Sequence, residues 1–507
     1  MKSAHLRHCI VGWAVMLIAS SLQAVEYHVA TNGNNSSDGS AGTPFLTIQQ
    51  GADVAQPGDT IIVHQGVYRE RVNPPGGGTS DVHRITYQAA TGATVVIKGS
   101  EPVSGWTHVT NDTWKVKVPH ATFGSFNPFR DALSGDWYIP INGRVVHTAS
   151  VYLDGHWLVE APNYNGVLAP SGDEPLWFTN DKVHVPADGT TEGDEATMTT
   201  IWAQFKGLNP NGENVEISMR QSVFYPEDPG KNYITVRGFV MEHAATPWAP
   251  PTAEQIGLIG THWSKGWVIE DNVIRYSACT GVTLGKYADP LDNANYHAVI
   301  ARALTNGWNK ATVGSHVVRN NHISHCEMAG IAGSLGPIFS TISSNTIHDI
   351  YVRRIFEGME MAGIKLHGAV DCIINGNLIS RAPQGIWLDW MAQGTRVFGN
   401  LLSQNDRDLF LEVNHGPFLV DNNLLCSPNS IYSVSRGGAY AHNLILGTCS
   451  VNHNETRGTP YLVPHGTDVV EYGELNPSGD ERFYNNIFYG YGAVSYTHLT
   501  LPTSDLV

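Results

Sequence analysis

From Tyr233 onward, short aliphatic runs alternate with single polar positions. Asparagine followed by two apolar residues recurs at Asn272-Val273-Ile274, Asn377-Leu378-Ile379, Asn400-Leu401-Leu402, Asn423-Leu424-Leu425, Asn443-Leu444-Ile445 and Asn486-Ile487-Phe488. Asn345-Thr346-Ile347 and Asn321-His322-Ile323 are looser copies. The step from Asn321 to Asn345 is 24 residues, and the steps from Asn377 are 23, 23 and 20. Such a period marks a repeat architecture, and short strands between Gly and Asn turns predict β coils over helical repeats. Each coil should bury alternate side chains and stack on the next, so that equal phases lie above one another. Asparagine at a fixed phase is expected to take the left-handed turn position and to hydrogen-bond its copies above and below.

The chain enters this pattern early. Pro44 to Ala52 reads as a short amphipathic cap, and Gly58-Asp59-Thr60-Ile61-Ile62-Val63 with Gly66-Val67-Tyr68 reads as a first coil. This opening resembles that of right-handed parallel β-helix proteins of the pectate-lyase type. Between roughly 101 and 228 the coil pattern gives way to Trp- and Pro-rich segments with alternating strands at Thr113–Val118 and Ala149–Leu153. A structureless loop of that length is uncommon, so an inserted β-sandwich is expected. The predicted organisation is a signal peptide over 1–24, cap and first coils over 25–100, the sandwich over 101–228, and an all-β solenoid core over 229–494. The segment 495–507, with Ser495-Tyr496-Thr497-His498-Leu499-Thr500-Leu501-Pro502, resembles translated sequencing read-through.

Three coil segments align by phase: Gly363-Ile364-Lys365-Leu366-His367, Gly385-Ile386-Trp387-Leu388-Asp389 and Asp408-Leu409-Phe410-Leu411-Glu412, at offsets of 22 and 23 residues. The second and fourth positions are aliphatic and must face the core, so strand alternation turns the third and fifth outward. His367, Asp389 and Glu412 then form one outward column, with Lys365, Trp387 and Phe410 beside it. Ser435 is expected above Glu412. Stacked carboxylates repel and are ordinarily avoided, which makes Asp389 and Glu412 candidates for chemistry. At a strand spacing of about 4.7–4.9 Å, equal-phase carboxyl groups lie roughly 5 Å apart. That matches the pair of about 5–5.5 Å in retaining glycosidases and is too short for inverting ones. His367 beside Asp389 favours its ionised form, whereas ionised Asp389 alone beside Glu412 raises the pKa of the latter. Asp389 is therefore expected to be the nucleophile and Glu412 the general acid/base.

Composition narrows the class. The 507 residues carry 30 Lys+Arg against 46 Asp+Glu, a net charge of −16, which argues against nucleic-acid binding. Met1 to Ala24, with Lys2, Arg7 and the apolar run Ile10–Ala19, reads as a bacterial signal peptide, implying a secreted or periplasmic protein that is not in the membrane after cleavage. Its apolar run falls short of the roughly 20 residues that span a bilayer. Cys279, Cys326, Cys372, Cys426 and Cys449 lack CxxC spacing, and most of them are expected to be buried apolar fillers. The 23 histidines show no HxH or HExxH spacing, so no metal and no cofactor are expected.

At the same residues the chain resembles a family. Trp387-Leu388-Asp389-Trp390, Ala392-Gln393-Gly394-Thr395-Arg396-Val397, Glu412-Val413-Asn414-His415-Gly416-Pro417, Ala244 to Thr252, Trp263 to Trp267 and Ala362 to His367 look like the β-xylosidases of glycoside hydrolase family 120. The resemblance runs from about Glu26 to about Tyr489. It implies a right-handed parallel β-helix with a flanking β-sandwich, and release of xylose from the non-reducing ends of β-1,4-xylo-oligosaccharides with retention. It places the nucleophile on Asp389 and the acid/base on Glu412. Glu360, His367, Trp387 and His415 are expected to contact sugar, and Trp248, in the stiff Pro247-Trp248-Ala249-Pro250-Pro251 segment, to wall the cleft. Met359 and Ser334 depart from the family pattern, which has His at both places. A polysaccharide lyase or polygalacturonase is an alternative, since the solenoid hosts both, but Asn-Thr-Asp, Gly-His-Gly and Arg-Ile-Lys are absent from this sequence and Lys365 is the nearest candidate base. A non-catalytic carbohydrate-binding solenoid is the other alternative, and homo-oligomerisation stays open.

Overall fold

The computed structural model describes residues 24–169, 172–179, 197–291, 296–453, 455–475 and 478–489. The expected signal peptide, apart from Ala24, and the segment 495–507 lie outside the described residues.

Among the described residues, three long parallel sheets of 12, 11 and 8 strands wind around one core, a right-handed parallel β-helix. The 12-stranded sheet runs from Glu26–Val29 to Arg482–Tyr484, the 11-stranded sheet from Gly66–Tyr68 to Ile487–Phe488, and the 8-stranded sheet from Ile259–Gly260 to Thr448–Val451. Alternation along each strand fills the interior with columns of one aliphatic residue per coil. Ile364, Ile386, Leu409 and Ile431 pair in register, as do Leu366, Leu388 and Leu411, and all are buried. The helix Ile48–Val54, capped by the Thr47 side chain, lays Ile48 and Ala52 against the first coils. The cysteines from Cys279 onward are free, and all but half-buried Cys426 are buried.

A chain excursion leaves the solenoid after Val95–Lys98 and builds two sheets. Ser100–Pro102, Val215–Ser218, Val151–Leu153 and His156–Trp157 form one, and Thr107–Thr110, Thr113–Pro119, Met198–Gln204, Leu176–Thr179 and Val159–Glu160 form the other. Val151, Val215 and Ile217 from the first pack against Val116, Trp177 and Ile201 from the second, the interior of a sandwich. The sandwich docks on the solenoid through Tyr152, stacked 3.7 Å from His243, and through Trp157 beneath the Arg353 guanidinium at 4.2 Å.

Asn272, Asn321, Asn345, Asn377, Asn400, Asn423, Asn443 and Asn486 form a continuous internal ladder. Each Oδ1 from Asn321 onward accepts from the backbone N–H and the Nδ2 of the preceding member, at 2.9–3.1 Å. The left-handed turn, however, belongs to the residue before each asparagine: Asp271, Asn320, Ser344, Gly376, Gly399, Asn422, His442 and Asn485 have φ between 49° and 64°. Division of labour explains this: one residue reverses the chain, leaving the next free to point its amide along the stack. Asn400→Ala leaves both donors of Asn377 without their acceptor and removes one amide donor from the Ile374 carbonyl. The expected loss is about 2–4 kcal/mol, read as a lowered urea midpoint.

The ladder also measures irregularity. Its steps are 49 residues from Asn272 to Asn321, 32 from Asn345 to Asn377 and 43 from Asn443 to Asn486, against 20–24 elsewhere. The first excess carries the helix Tyr296–Thr305, the second the segment around Glu357–Gly358, and the third the hairpin of Gly458–Leu462 and Val469–Leu475.

Candidate active site

The strands Ala362–His367, Gln384–Asp389 and Arg407–Glu412 pair in parallel with His367 opposite Asp389 and Asp389 opposite Glu412. Their aliphatic partners fix this orientation from the core side, so the outward column forms as the spacing predicts. Above Glu412, however, stands Val434. The step there is 22 residues, and Ser435 instead accepts the Asn414 backbone N–H through its Oγ at 3.1 Å. Each strand ends abruptly after its column residue, with φ of 65° at Gly368, 48° at Trp390 and 51° at Val413. A β-branched residue in that region is strained, and the strain lies beside the two carboxylates.

Asp389 is buried, and its Oδ2 accepts from Lys365 Nζ at 2.8 Å and His367 Nε2 at 3.1 Å, while Oδ1 is buried without a partner. Burial alone would raise this carboxyl, but Lys365 and then His367 hold it well below the ordinary carboxylate range. Lys365, rather than His367 alone, is thus the main partner, its ammonium lying 2.9 Å from the centre of the Trp387 ring. Glu360, raised by burial, sits 3.6 Å from Lys365 and 3.9 Å from His367.

Glu412 has the opposite environment. Its Oε2 accepts from Trp387 Nε1 at 3.0 Å and its Oε1 from Arg457 Nη1 at 2.6 Å. Burial pushes the carboxyl up to about 7, with ionised Asp389 adding to the rise and Lys365 and Arg457 opposing it. The direction agrees with the sequence reading, but its first cause is burial, and Asp389 is not the sole charged neighbour.

These groups open into a cavity of about 650 Å³ lined by Trp137, Tyr296, His297, Met359, Glu360, His367, Trp387, Asp389, Trp390, Phe410, Glu412, Arg457 and Gly458. That size is in the range of roughly 300–1,000 Å³ typical of ligand sites. The regular coils supply the floor, and the irregular ladder steps and the sandwich supply the walls: Tyr296 and His297 from the first long step, Met359 and Glu360 from the second, Arg457 and Gly458 from the third, and Trp137 from the sandwich. Glu357–Gly358 pairs with Tyr138–Ile139, tying two walls together.

One residue expected to wall the cleft and one expected to contact sugar lie elsewhere. Trp248 is buried behind the wall, donating from Nε1 to the Asp136 carbonyl and packing edge-on to Phe356; a Cβ on Gly358 would meet its ring at 2.3 Å. His415 packs at a tilt against Tyr461, and its Nδ1 pairs with the Gly416 carbonyl. Neither lines the cavity. Ser334, where the family pattern has His, is buried with its Oγ donating to the Pro251 carbonyl, while Met359 is exposed on the cavity rim. Glu360, His367 and Asp389 also group closely enough to hold a cation. The Lys365 ammonium, within 2.8 Å of Asp389 and 3.6 Å of Glu360, already supplies positive charge there, so the set fits an internal ion pair better than a metal.

The sequence pattern described as "Glycoside hydrolase 120, insertion domain" matches residues 103–217, and that described as "Periplasmic copper-binding protein (NosD)" matches 258–461. The solved structure entitled "The complex structure of XylC with xylose" is 44% identical, with 93% of this chain and 76% of that chain covered at a TM-score of 0.86. The chain belongs to glycoside hydrolase family 120. It is a glycoside hydrolase. A structure described as "Glycoside hydrolase", 12% identical over 92% of this chain and 96% of that one at a TM-score of 0.51, shares the fold. A comparison with curated proteins returned no match. Within this family-120 chain, no helix among the described residues is long and apolar enough to cross a membrane.

Proposed function

We propose that this glycoside hydrolase is a secreted or periplasmic, exo-acting β-xylosidase that cleaves β-1,4-xylo-oligosaccharides with retention. The observation that carries the reading is the register of Asp389 against Glu412 on adjacent strands, with their proton affinities driven in opposite directions. One coil of separation, about 4.8 Å before side-chain tilt, suits a nucleophile and an acid flanking one glycosidic bond. The resemblance to a structure solved with xylose supports a pentose in the glycone position.

The mechanism follows from the hydrogen bonds. Asp389 Oδ1, without a partner, attacks the anomeric carbon while Oδ2 stays clamped by Lys365 and His367. Protonated Glu412 gives its proton to the leaving oxygen as the bond breaks, leaving a glycosyl ester on Asp389. Glu412, now ionised, takes a proton from water, which attacks the same carbon from the vacated face and frees Asp389. Glu360 and His367 are placed to bind sugar hydroxyls. Lys365, buried and ion-paired, is poorly placed to act as the base of a lyase.

An NMR time course on xylobiose tests this reading, and β-xylose is expected as the first anomer. Initial α-xylose excludes retention. Unsaturated products from polygalacturonate would indicate a lyase, and no turnover of either substrate a binding protein.

A further inference from the structure

Both oxygens of Glu412 are engaged in the ligand-free site. A general acid must turn a protonated oxygen toward the leaving group, within about 2.6–3.2 Å. The proton on either oxygen is presented best when one of the two donors yields its place. Trp387 cannot: its side chain is buried and stacked on Phe410, with ring centres 4.8 Å apart. Arg457 can, because its side chain is 46% exposed and lies just before the hairpin, outside the coils.

The attachment of Arg457 is asymmetric. Its Nε and Nη2 form a fork on the Glu455 carboxylate at 2.9 and 2.6 Å, and Glu455 is itself fixed by the backbone N–H groups of Thr456 and Arg457. Only Nη1 reaches across to Glu412. Glu455 is thus a pivot, and one donor points into the cavity.

We propose that Arg457 guards Glu412 until a sugar leaving group displaces it, and that the displaced guanidinium then binds that sugar's hydroxyls. The inference rests on the reading of Glu412 as the acid. In the empty site the cation holds charge beside Glu412 and favours its ionised form. A sugar in the leaving-group position draws Nη1 away, and the carboxyl takes up its proton where it is needed. The other charged groups acting on Glu412 are Asp389 and Lys365 from the neighbouring coils and Arg407 from its own strand. All three stay in place, so the change on binding comes from Arg457.

The test is the pH dependence of kcat and kcat/KM for wild type, Arg457→Ala and Arg457→Lys, with xylobiose and an aryl xyloside. The alkaline limb of kcat/KM reports the free enzyme and that of kcat the bound complex. In wild type the kcat limb for xylobiose should lie higher. Arg457→Ala should raise the kcat/KM limb by about one pH unit, the low end of what an adjacent opposite charge produces, since Arg457 is half exposed. Arg457→Lys should restore the limb but not the fork. KM for xylobiose should rise about tenfold in both variants, while KM for the aryl xyloside changes less than about twofold. An Arg457→Ala limb superimposable on wild type, or equal KM losses for the two substrates, overturns the inference while leaving the xylosidase reading intact. Inactivity of wild type on both xylosides overturns that reading and the inference with it.

Discussion

Asp389→Ala is expected to lower turnover of every xyloside by on the order of 10⁵-fold or more, because on the proposed mechanism no glycosyl ester can form. Folding should survive: Asp389 faces outward, and the aliphatic columns that hold its strand are untouched. Removal does leave Lys365 and His367 facing Glu360 alone, so midpoints of unfolding should be compared in parallel. Added azide fills the space of the lost carboxylate and attacks from that face, giving an α-xylosyl azide. Recovery of a β-azide from this variant would assign the nucleophile to Glu412 instead.

Glu412→Ala behaves differently according to the leaving group. Aryl xylosides with good leaving groups still form the ester, then stall, with turnover down about 10²–10⁴-fold, the usual contribution of a general acid/base. Azide enters where Glu412 stood and releases the β-azide. Glu412→Gln, tested on the same substrates, should remove the alkaline limb of kcat/KM. The sign follows from the shifts: Glu412, pushed up to about 7, loses the required proton as pH rises through that value. Asp389, held below the ordinary carboxylate range, loses its charge only in strong acid. The pair is coupled, so the two limbs belong to both carboxyl groups together. An alkaline limb that survives unchanged in Glu412→Gln shows that another group supplies the proton.

What the chain reveals in advance is what repeats. The outward column was legible because its aliphatic neighbours leave only one orientation and because the steps joining Asp389 to its neighbours could be counted. A single miscount was enough to misplace Ser435, since a one-residue slip carries a side chain to the other face. The left-handed position was misassigned for a related reason. Periodicity marks Asn400 and Gly399 equally, and only the ladder's hydrogen bonds separate the amide from the residue that turns the chain. Lys365 was placed correctly in phase, but a four-carbon side chain does not disclose its partner from phase alone. Trp137, Tyr296 and Arg457 come from segments with no phase at all, and so does Trp248, whose Pro-rich surroundings read as a rim while its ring packs on Phe356 behind the cavity lining. The signal for these walls was present as arithmetic: the 49-, 32- and 43-residue ladder steps announce where material leaves the coil, though not how it folds back.

The stacking pitch of the solenoid is a ruler without subdivisions. The backbones of two column residues stand about 4.8 Å apart, or about 9.6 Å apart, and side-chain length and tilt adjust the carboxyl gap around those marks. Separations of about 5–5.5 Å and of about 6.5–9.5 Å are the two regimes of glycoside hydrolysis, so a scaffold of this kind selects stereochemistry in whole coils. Val434 is the next mark on the scale beyond Glu412. Moving the acid there, by Val434→Glu together with Glu412→Ala, would shift the geometry from one regime toward the other by one whole coil.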